Sequence, residues 1–577
     1  MECSGQMPRS GARKTSLRPK PYRVERMSQA GLARADWWRD AVIYQVYPRS
    51  FCASGGTGFG DLPGVTQKLP ELRKLGVDAV WLSPFYTSPQ NDAGYDVADY
   101  CGVDSLFGTL ADAEHLIKSA HELDLRIIVD LVPNHSSSEH EWFKQALTSP
   151  PGSPERDRYM FRDGSGDGSE PPNNWQSVFG GPAWTRVVEA DGTPGQWYLH
   201  LFDSTQPDFN WENPEVWDFF DDVLRFWLDR GVDGFRIDVA HGLMKVPGLP
   251  SLSPEDLADT RPDAQKPYWN QEKVHDVYRR WHRVLEEYGP DRILTAEAWV
   301  WPLESMAQYV REDEMQHAFN FAYLSTSWQA ESVKSVVNHS LSAFGAVGAP
   351  STWVLSNHDV IRHSSRLAMG ALESVVPGGL GPKSPEKPDP DVAMRRGRAA
   401  TTFMLGLPGS SYLYQGEELG LPEVIEIPDD KREDPTFHRT NGERYGRDGC
   451  RVPIPWEKDA PAYGFSPSGQ SWLPQPDTFG DLARDQQEGV EGSTLELYKT
   501  LLRLRKAEGL GRGELQWIDT DSPDVLAYQN GGITVMCNFG DTPFDLPHGD
   551  VLASSESERD GTLQPGHAVW IQSTATE

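Results

Sequence analysis

Short apolar runs alternate with longer amphipathic segments from about residue 37 to residue 506. Runs rich in β-branched and aromatic residues predict strands, and segments with apolar residues three or four positions apart predict helices. The strands are predicted at 41–47, 77–82, 126–132, 231–239, 292–297, 317–322, 352–356 and 411–414. The helices are predicted at 69–75, 110–123, 216–228, 281–287, 399–405 and 495–506. This series of strand–helix units predicts an α/β protein built on a parallel (β/α)8 TIM barrel.

Three stretches interrupt this alternation. Residues 134–205 are rich in Gly, Pro and Trp and show no helical period, which predicts a small domain inserted after the third strand. Residues 366–391 and 419–490 are long excursions after the seventh and eighth strands, and loops of this length are typical of lids or site walls. Beyond residue 511, short apolar runs separated by turns predict a C-terminal all-β domain.

The predicted domain organisation follows from these boundaries. We expect a disordered basic extension at 1–36, a catalytic barrel at 37–134 and 206–510, an inserted domain at 135–205 and a C-terminal β-sandwich at 511–577. The basic extension lacks the apolar core that a secretory signal needs.

The charge of the chain narrows the classes of partner. Its 577 residues include 85 Asp and Glu against 54 Lys and Arg, which gives a net charge of −31. This excess of negative charge argues against nucleic acids and anionic membranes, and it favours a neutral or cationic small molecule as substrate. The sequence contains no apolar run of 18 residues, so we expect no membrane-spanning helix.

The five cysteines are scattered, and none of them forms a C-x-x-C pair. This spacing indicates a reduced, cytoplasmic protein without a disulfide framework or a zinc site. The oligomeric state stays open.

An arginine interrupts the apolar run of the fourth predicted strand. Arg236 lies between two apolar residues, and Asp238 follows two positions later, so both side chains point to the same face. A buried arginine needs an anionic partner, and an isolated pair of this kind is usually structural. However, acids also fall at the ends of three other strands, at Asp130, Glu297 and Asp359. Because active sites of barrels lie at the carboxyl ends of their strands, this placement predicts a catalytic site.

Asp238 and Glu297 end neighbouring strands and are therefore expected to lie close together. Two adjacent carboxyl groups can divide the work of cleaving a glycosidic bond, because one attacks as the anion and the other donates a proton. Arg236 is expected to favour the ionised form of Asp238. The apolar neighbours of Glu297 favour the protonated form that an acid catalyst needs.

Several motifs carry a family resemblance. The segments DLVPNH at 130–135, GFRID at 234–238, TAEAW at 295–299 and SNHD at 356–359 resemble the four signature regions of the α-amylase family, glycoside hydrolase family 13. The segment QPDFN at 206–210 is similar to a fifth region in the α-glucosidase and oligo-1,6-glucosidase branch. The resemblance covers about residues 38–510, and the motifs occur in the expected order at the predicted strand ends.

The resemblance implies a role for each of these residues. It implies Asp238 as the nucleophile, Glu297 as the acid/base and Asp359 as the stabiliser of the transition state. The implied substrate-binding residues are Asp92 and Arg451 at the non-reducing end of the glucose, Tyr95 for stacking, His135 and His358 for hydroxyl groups, Arg236 beside the nucleophile, Phe179, Phe202 and Gln206 as walls, and Val239 for linkage preference. Plain packing is the alternative for each aromatic residue, and a structural role is the alternative for each histidine.

One loop departs from the pattern of the branch. Relatives hold a divalent cation in the loop after Arg-Ser-Phe, through alternating Asp and Asn residues. Here the loop at 50–61 places Ala53, Gly55 and Thr57 at the expected ligand positions, and only Asp61 remains. Calcium and magnesium need several oxygen ligands, so we predict a lost or weak metal site and no cofactor.

The resemblance implies a retaining, exo-acting α-glucosidase that removes terminal α-linked glucose from short oligosaccharides or α-glucosides by double displacement. A glucosyl-transferring or isomerising enzyme of the trehalose synthase or isomaltulose synthase type is an open alternative, because any hydroxyl group can intercept a glucosyl-enzyme. A non-catalytic barrel that acts as a partner subunit is disfavoured by the full set of acids. The linkage preference also stays open, since Val239 is common among 1,6-active relatives but the following residues 240–242 depart from their usual run.

Overall fold

Eight short parallel strands form the centre of the fold in a computed structural model. The structure describes residues 35–189, 191–259, 265–370, 379–556 and 561–572. Apart from its last two residues, the predicted basic extension at 1–36 lies outside the described residues, as do residues 371–378 of the predicted excursion at 366–391.

The strands are β1 (Val42–Val46), β2 (Ala79–Leu82), β3 (Arg126–Leu131), β4 (Phe161–Arg162), β5 (Trp184–Val188), β6 (Pro194–Leu199), β7 (Gly234–Ile237), β8 (Ile293–Ala296), β9 (His317–Ala318), β10 (Thr352–Val354), β11 (Ser410–Tyr414), β12 (Leu515–Ile518), β13 (Val525–Asn530), β14 (Ile533–Asn538), β15 (Phe544–Asp545), β16 (Asp550–Ser554), β17 (Thr562–Leu563) and β18 (Ala568–Gln572). The helices are α1 (Leu62–Leu75), α2 (Leu110–Glu122), α3 (Glu141–Thr148), α4 (Pro154–Asp157), α5 (Pro214–Leu228), α6 (Pro254–Ala258), α7 (Val274–Glu286), α8 (Leu303–Ala307), α9 (Phe321–Leu324), α10 (Ala330–Gly345), α11 (His363–Leu367), α12 (Pro390–Leu405), α13 (Pro435–Arg439), α14 (Asp448–Arg451), α15 (Arg484–Gln487) and α16 (Thr494–Ala507).

The central sheet closes into a barrel. Its strand order is β10-β11-β1-β2-β3-β7-β8-β9, and every neighbouring pair is parallel. A parallel bridge between Phe319 and Thr352 joins the two end strands, β9 and β10. All residues of these strands are buried, as expected where helices cover the outer face of a parallel sheet. The predicted (β/α)8 fold is therefore confirmed.

The sixth barrel strand is shorter than the predicted strand at 317–322. Strand β9 ends at Ala318, and helix α9 begins at Phe321. The side chain of Asn320 accepts a hydrogen bond from the amide of Tyr323 at 3.0 Å and so caps α9. An apolar run that predicts a strand is thus divided by an asparagine, which is among the strongest helix-capping residues.

The inserted segment contains helices that its sequence pattern did not predict. Helices α3 and α4 accompany an antiparallel sheet with the order β4-β6-β5. Only Phe143 and Ala146 are buried on α3, which is too few apolar positions to show a helical period. The two ends of the insertion pair with each other through an antiparallel bridge between His135 and Asp208, directly after β3. This bridge anchors the insertion at the carboxyl end of the barrel.

The C-terminal region is all-β, as predicted. A five-stranded antiparallel sheet has the order β12-β13-β14-β18-β16, and β15 and β17 form a separate two-stranded ribbon. Within the described residues, the ribbon of β15 and β17 is therefore smaller than the second full sheet that a β-sandwich would have. The indole of Trp570 donates to the carbonyl of Thr402 on α12 at 2.8 Å, which ties this region to the barrel. Of the helices that the structure describes, none is sufficiently long and apolar to span a membrane.

A buried ionic network lies at the opposite end of the barrel from the predicted site. The carboxylate of Asp233 is 2.7 Å from Nε2 of His121 and 3.3 Å from guanidinium nitrogens of both Arg126 and Arg292. Burial acts to raise the pKa of Asp233, but His121, Arg292 and Arg126 together lower this pKa well below its ordinary value. The charge of Asp233 therefore stabilises the fold.

We expect Asp233→Asn to lower the free energy of unfolding by about 3–5 kcal/mol, because it leaves buried arginines with less compensating charge. The folded pKa of Asp233 is lowered, so this stabilisation is fully present at neutral pH and is lost as the pH falls below about 4. Thermal unfolding at pH 7 and pH 3.5 measures both effects. Asp229→Asn, at an exposed neighbouring position, is the control, and equal melting temperatures for the two variants at pH 7 would contradict the assignment.

Candidate active site

The buried guanidinium of Arg236 gathers three carboxylates at the carboxyl end of the barrel. The register pairs Ile237 with Ala296, so the next residues on the two strands, Asp238 and Glu297, lie side by side. Nη1 of Arg236 is 2.8 Å from both Asp238 Oδ1 and Asp130 Oδ1. Nη2 is 3.2 Å from Glu297 Oε2. The predicted pairing of Arg236 with Asp238 is thus observed, together with two partners that were not predicted.

The charge balance of this cluster differs from the expectation that Arg236 alone keeps Asp238 ionised. Burial raises the pKa of Asp238 well above its ordinary value, and the opposing effect of Arg236 is offset by the nearby Glu297, Asp130 and Asp359. Burial likewise raises the pKa of Asp130 to about 6, against the effect of Arg236. Three buried carboxylates cannot all be charged against one guanidinium at low cost, which is why burial raises the pKa of both Asp130 and Asp238 despite the nearby cation.

Glu297 is held at both carboxylate oxygens. Its Oε2 accepts a hydrogen bond from the backbone amide of Val239 at 2.8 Å, and its Oε1 accepts one from the indole of Trp299 at 3.1 Å. Val239 has a φ of +45°, which β-branched residues rarely adopt. The amide of the next residue, Ala240, donates to the backbone carbonyl of Glu297 at 2.8 Å. A strained turn therefore fixes the orientation of the Glu297 carboxylate.

Asp359 has a cationic environment. Its Oδ1 is 3.0 Å from Nη2 of Arg451 and 3.1 Å from Nη1 of Arg447, and its Oδ2 is 3.2 Å from Nε2 of His358. Burial acts to raise the pKa of Asp359, but His358 and the two arginines lower this pKa far below its ordinary value. Asp359 is therefore an anion at neutral pH, which suits a residue that faces developing positive charge.

The partner of Asp92 is Arg447, a residue that the resemblance did not single out. Nη2 of Arg447 is 2.8 Å from Asp92 Oδ1, and Nε of Arg447 is 2.5 Å from Asp434 Oδ2. Arg451 instead donates to the carbonyl of His358 at 2.8 Å and contacts Asp359. The two arginines are four residues apart, one helical turn, so their sequence spacing could not decide which of them meets Asp92.

Gln206 and His135 extend the site from Asp92 towards the inserted segment. Nε2 of Gln206 donates to Asp92 Oδ2 at 3.1 Å and is 3.3 Å from Nε2 of His135. Burial lowers the pKa of His135 to about 4, so its imidazole is neutral at physiological pH. A neutral imidazole can both donate and accept a hydrogen bond, which suits a hydroxyl group.

Aromatic rings line the rest of the site. The ring of Tyr95 stacks on that of His358 with centroids 5.2 Å apart, and its hydroxyl donates to Asp130 Oδ2 at 2.9 Å. The rings of Phe179 and Phe202 meet edge to face at 5.7 Å. The guanidinium of Arg447 lies 5.4 Å from the centre of the Phe179 ring. All the residues expected to bind substrate therefore belong to one connected group.

The only carboxylate of the loop at 50–61 is hydrogen-bonded to neighbouring residues. The carboxylate of Asp61 accepts hydrogen bonds from the Ser54 amide at 3.1 Å, the Ser54 hydroxyl at 2.9 Å and the Gly64 amide at 2.7 Å. Asp61 thus caps α1, and positions 53, 55 and 57 offer no carboxylate. In the part of the chain that the structure describes, no cluster of three or more His, Cys, Asp or Glu side chains could hold a metal ion.

Known proteins resemble this chain along most of its length. The family described as alpha amylase, catalytic domain, matches residues 45–513. A protein named probable alpha-glucosidase from Rhizobium meliloti (strain 1021) is 38% identical over 521 residues, which cover 87% of this chain and 89% of that protein. An oligo-1,6-glucosidase from Parageobacillus thermoglucosidasius is 34% identical over 558 residues, which cover 90% of this chain and 94% of that protein.

A solved structure agrees with these matches. The crystal structure of an alpha-glucosyl transfer enzyme, XgtA, has a TM-score of 0.78 and 33% sequence identity, covering 93% of this chain and 100% of that chain. The predicted resemblance is therefore confirmed, and the chain belongs to the alpha-amylase family of glycoside hydrolases.

Proposed function

We propose that the protein is a retaining, exo-acting α-glucosidase that removes terminal α-linked glucose from short oligosaccharides or α-glucosides. The observation that carries this proposal is the pair of adjacent carboxyl groups, Asp238 and Glu297, which share the guanidinium of Arg236. Double displacement requires two neighbouring carboxyl groups, one that attacks the sugar and one that donates a proton. The names of the glucosidase relatives from Rhizobium meliloti and Parageobacillus thermoglucosidasius support the same reaction.

In the first step, Asp238 attacks the anomeric carbon while Glu297 protonates the leaving oxygen. Oε2 of Glu297 accepts from the Val239 amide and faces Arg236, and Oε1 accepts from the Trp299 indole, so the carboxyl group is held in one orientation for this step. The ionised Asp359 stabilises the oxocarbenium-like transition state. In the second step, Glu297 takes a proton from water, and that water releases glucose from Asp238.

Exo action is part of this proposal, and an ion pair beside the catalytic acids supports it. Arg447 pairs with Asp92 and also contacts Asp359 at 3.1 Å, and its guanidinium lies 5.4 Å from the centre of the Phe179 ring. We propose that this arrangement binds the terminal glucose and blocks a chain from continuing past it. Val239 is 6% exposed and contacts Glu297, so it is the residue expected to influence the linkage that is cleaved.

Glucosyl transfer is the second proposal, because the solved relative XgtA is called an alpha-glucosyl transfer enzyme. Both reactions pass through the same glucosyl-enzyme, and they differ only in whether water or a sugar hydroxyl accepts the glucose. Chromatography of the products formed from maltose and from sucrose separates the two. Free glucose as the main product supports hydrolysis, and longer or isomerised sugars support transfer.

The roles of the two catalytic acids predict different responses to the leaving group. We expect Glu297→Ala to lower kcat/KM for maltose by about 10²–10⁴-fold and to have much less effect on α-glucosyl fluoride, because fluoride departs without protonation. Asp238→Asn removes the nucleophile and should abolish the turnover of both substrates. Steady-state kinetics with each substrate measures these effects, and Glu304→Ala on the barrel surface is the control. An equal loss on both substrates for Glu297→Ala would contradict its role as acid.

The contact between Asp92 and Arg447 predicts stronger energetic coupling of Asp92 to Arg447 than to Arg451. In a double-mutant cycle on kcat/KM, Asp92→Asn and Arg447→Ala should be coupled by about 0.5–3 kcal/mol, because the two side chains are in contact. The coupling between Asp92→Asn and Arg451→Ala should be smaller, because the ion pairs link Arg451 to Asp92 only through Asp359 and Arg447. A larger coupling of Asp92 to Arg451 than to Arg447 would contradict the functional importance of the pair between Asp92 and Arg447.

We also propose that the protein needs no divalent cation in the loop at 50–61, since amides and a hydroxyl occupy the Asp61 carboxylate. A chelator and added calcium should each leave the melting temperature and activity unchanged. A variant with Ala53→Asp, Gly55→Asn and Thr57→Asp should gain a melting temperature that rises with calcium, because it restores oxygen ligands. A loss of stability in the chelated wild-type protein that calcium reverses would contradict the proposal.

A further inference from the structure

Helix α13 connects two parts of the glucose pocket. Its first residue is preceded by Asp434, whose carboxylate accepts from the Thr436 amide at 2.8 Å and also contacts Arg447. Its last residue is Arg439. The helix belongs to the long segment after β11, and it reaches across to the inserted segment after β3. One end of α13 therefore supports the Asp92 side of the pocket, and the other end is free to support a different wall.

Arg439 holds two loops of the inserted segment at once. Its Nη1 is 2.6 Å from Asp203 Oδ2, and its Nη2 donates to the carbonyl of Gly180 at 2.7 Å. Gly180 directly follows Phe179, and Asp203 directly follows Phe202. A single guanidinium thus fixes the residue after each of the two aromatic rings that line the pocket.

The loop that carries Phe179 turns at two glycines. Gly180 and Gly181 follow each other with φ values of +102° and +79°, which glycine adopts at little cost. Two backbone hydrogen bonds close the turn, from the Ser177 amide to the Gly181 carbonyl at 2.8 Å and from the Gly180 amide to the Ser177 carbonyl at 2.9 Å. The hydrogen bond from Arg439 to the Gly180 carbonyl is an added contact from outside the loop, and it fixes the position of the turn relative to α13.

Hydrogen bonds connect Asp203 to Asp92 through Gln206. The amide of Asp203 donates to Gln206 Oε1 at 2.9 Å, and Nε2 of Gln206 donates to Asp92 Oδ2 at 3.1 Å. The Arg439 and Asp203 side chains are 25% and 18% exposed, so they lie at the outer edge of the pocket and not against the reacting atoms. Arg439 is therefore a positioning residue.

We propose that Arg439 determines substrate size by holding the Phe179 and Phe202 wall closed behind the terminal glucose. This inference rests on the proposed exo-glucosidase function and deepens it. With the guanidinium in place, a sugar chain ends at the wall. Without it, the Gly180–Gly181 turn can move, Phe179 leaves the side of Arg447, and longer chains can pass through the pocket.

The test compares Arg439→Ala with wild type on 4-nitrophenyl α-glucoside, maltose, maltoheptaose and a 4-nitrophenyl maltoheptaoside whose non-reducing end is blocked. For Arg439→Ala we expect KM for the monoglucoside to rise at least about fivefold with kcat within about threefold, because ground-state binding is weakened more than the chemistry. The ratio of kcat/KM for maltoheptaose to that for maltose should rise, and the blocked substrate, inert to wild type, should be cleaved.

Three further variants keep the test decisive. Asp203→Asn weakens the same contact from the other side and should shift the maltoheptaose to maltose ratio in the same direction, whereas Arg439→Lys should restore part of the wild-type ratio. Arg186→Ala removes an arginine that donates to the Gly195 carbonyl in the same inserted segment, so it controls for general loosening. Melting temperatures identify any variant that fails to fold.

Two results would overturn the inference. If the wild type is active and both Arg439→Ala and Asp203→Asn keep its KM and its maltoheptaose to maltose ratio, the contact does not control substrate size. Equal shifts in Arg186→Ala would show that the effect is general. Wild-type activity on 4-nitrophenyl α-glucoside is measured first, because its absence refutes the proposed function itself and this inference with it.

Discussion

The site depends on one buried guanidinium. Arg236 is fully buried, and it contacts the carboxylates of Asp130, Asp238 and Glu297. Burying these charges would cost several kcal/mol each without compensation, so the guanidinium is needed to offset them. The same guanidinium holds Asp238 and Glu297 side by side on adjacent strands. A requirement of stability and a requirement of glycosidic cleavage are thus met by one interaction.

Segments outside the barrel strands supply the remaining side chains of the site. The strands position the acids. The inserted segment supplies Phe179 and Phe202, Gln206 follows directly after it, and the segment after β11 supplies Arg447 and Arg451. These segments meet at Asp92 and at Arg439. Side chains from separate loops converge there, whereas the register of β7 and β8 fixes the positions of Asp238 and Glu297.

The sequence predicted the barrel and its acids because both depend on local patterns. Buried parallel strands produce continuous apolar runs, and the acids directly follow those runs. Contacts between distant loops have no such pattern. The pairing of Asp92 with Arg447 joins residues 355 positions apart, and two arginines one turn apart were equally suited to it.

The other differences between the predicted and the observed structure have identifiable physical causes. Asn320 divided an apolar run into a strand and a helix, and α3 buried too few residues for its period to be visible. The raised pKa of Asp238 depends on burial and on several carboxylates at once, which no single neighbour in the sequence reveals. The cytoplasmic location and the domain boundaries stay predictions.

The most direct test of the account is the identity of the residue that carries the covalent intermediate. The reagent 5-fluoro-α-D-glucosyl fluoride slows both the formation and the hydrolysis of a glucosyl-enzyme, because its ring fluorine destabilises the oxocarbenium-like transition states. Since its fluoride leaves readily, the intermediate accumulates if double displacement operates. Mass spectrometry of the digested protein should then find one fluoroglucosyl group, on Asp238 in the peptide that contains residues 234–238. A label on another residue, or active enzyme that forms no adduct and releases β-glucose first, would contradict the central claim.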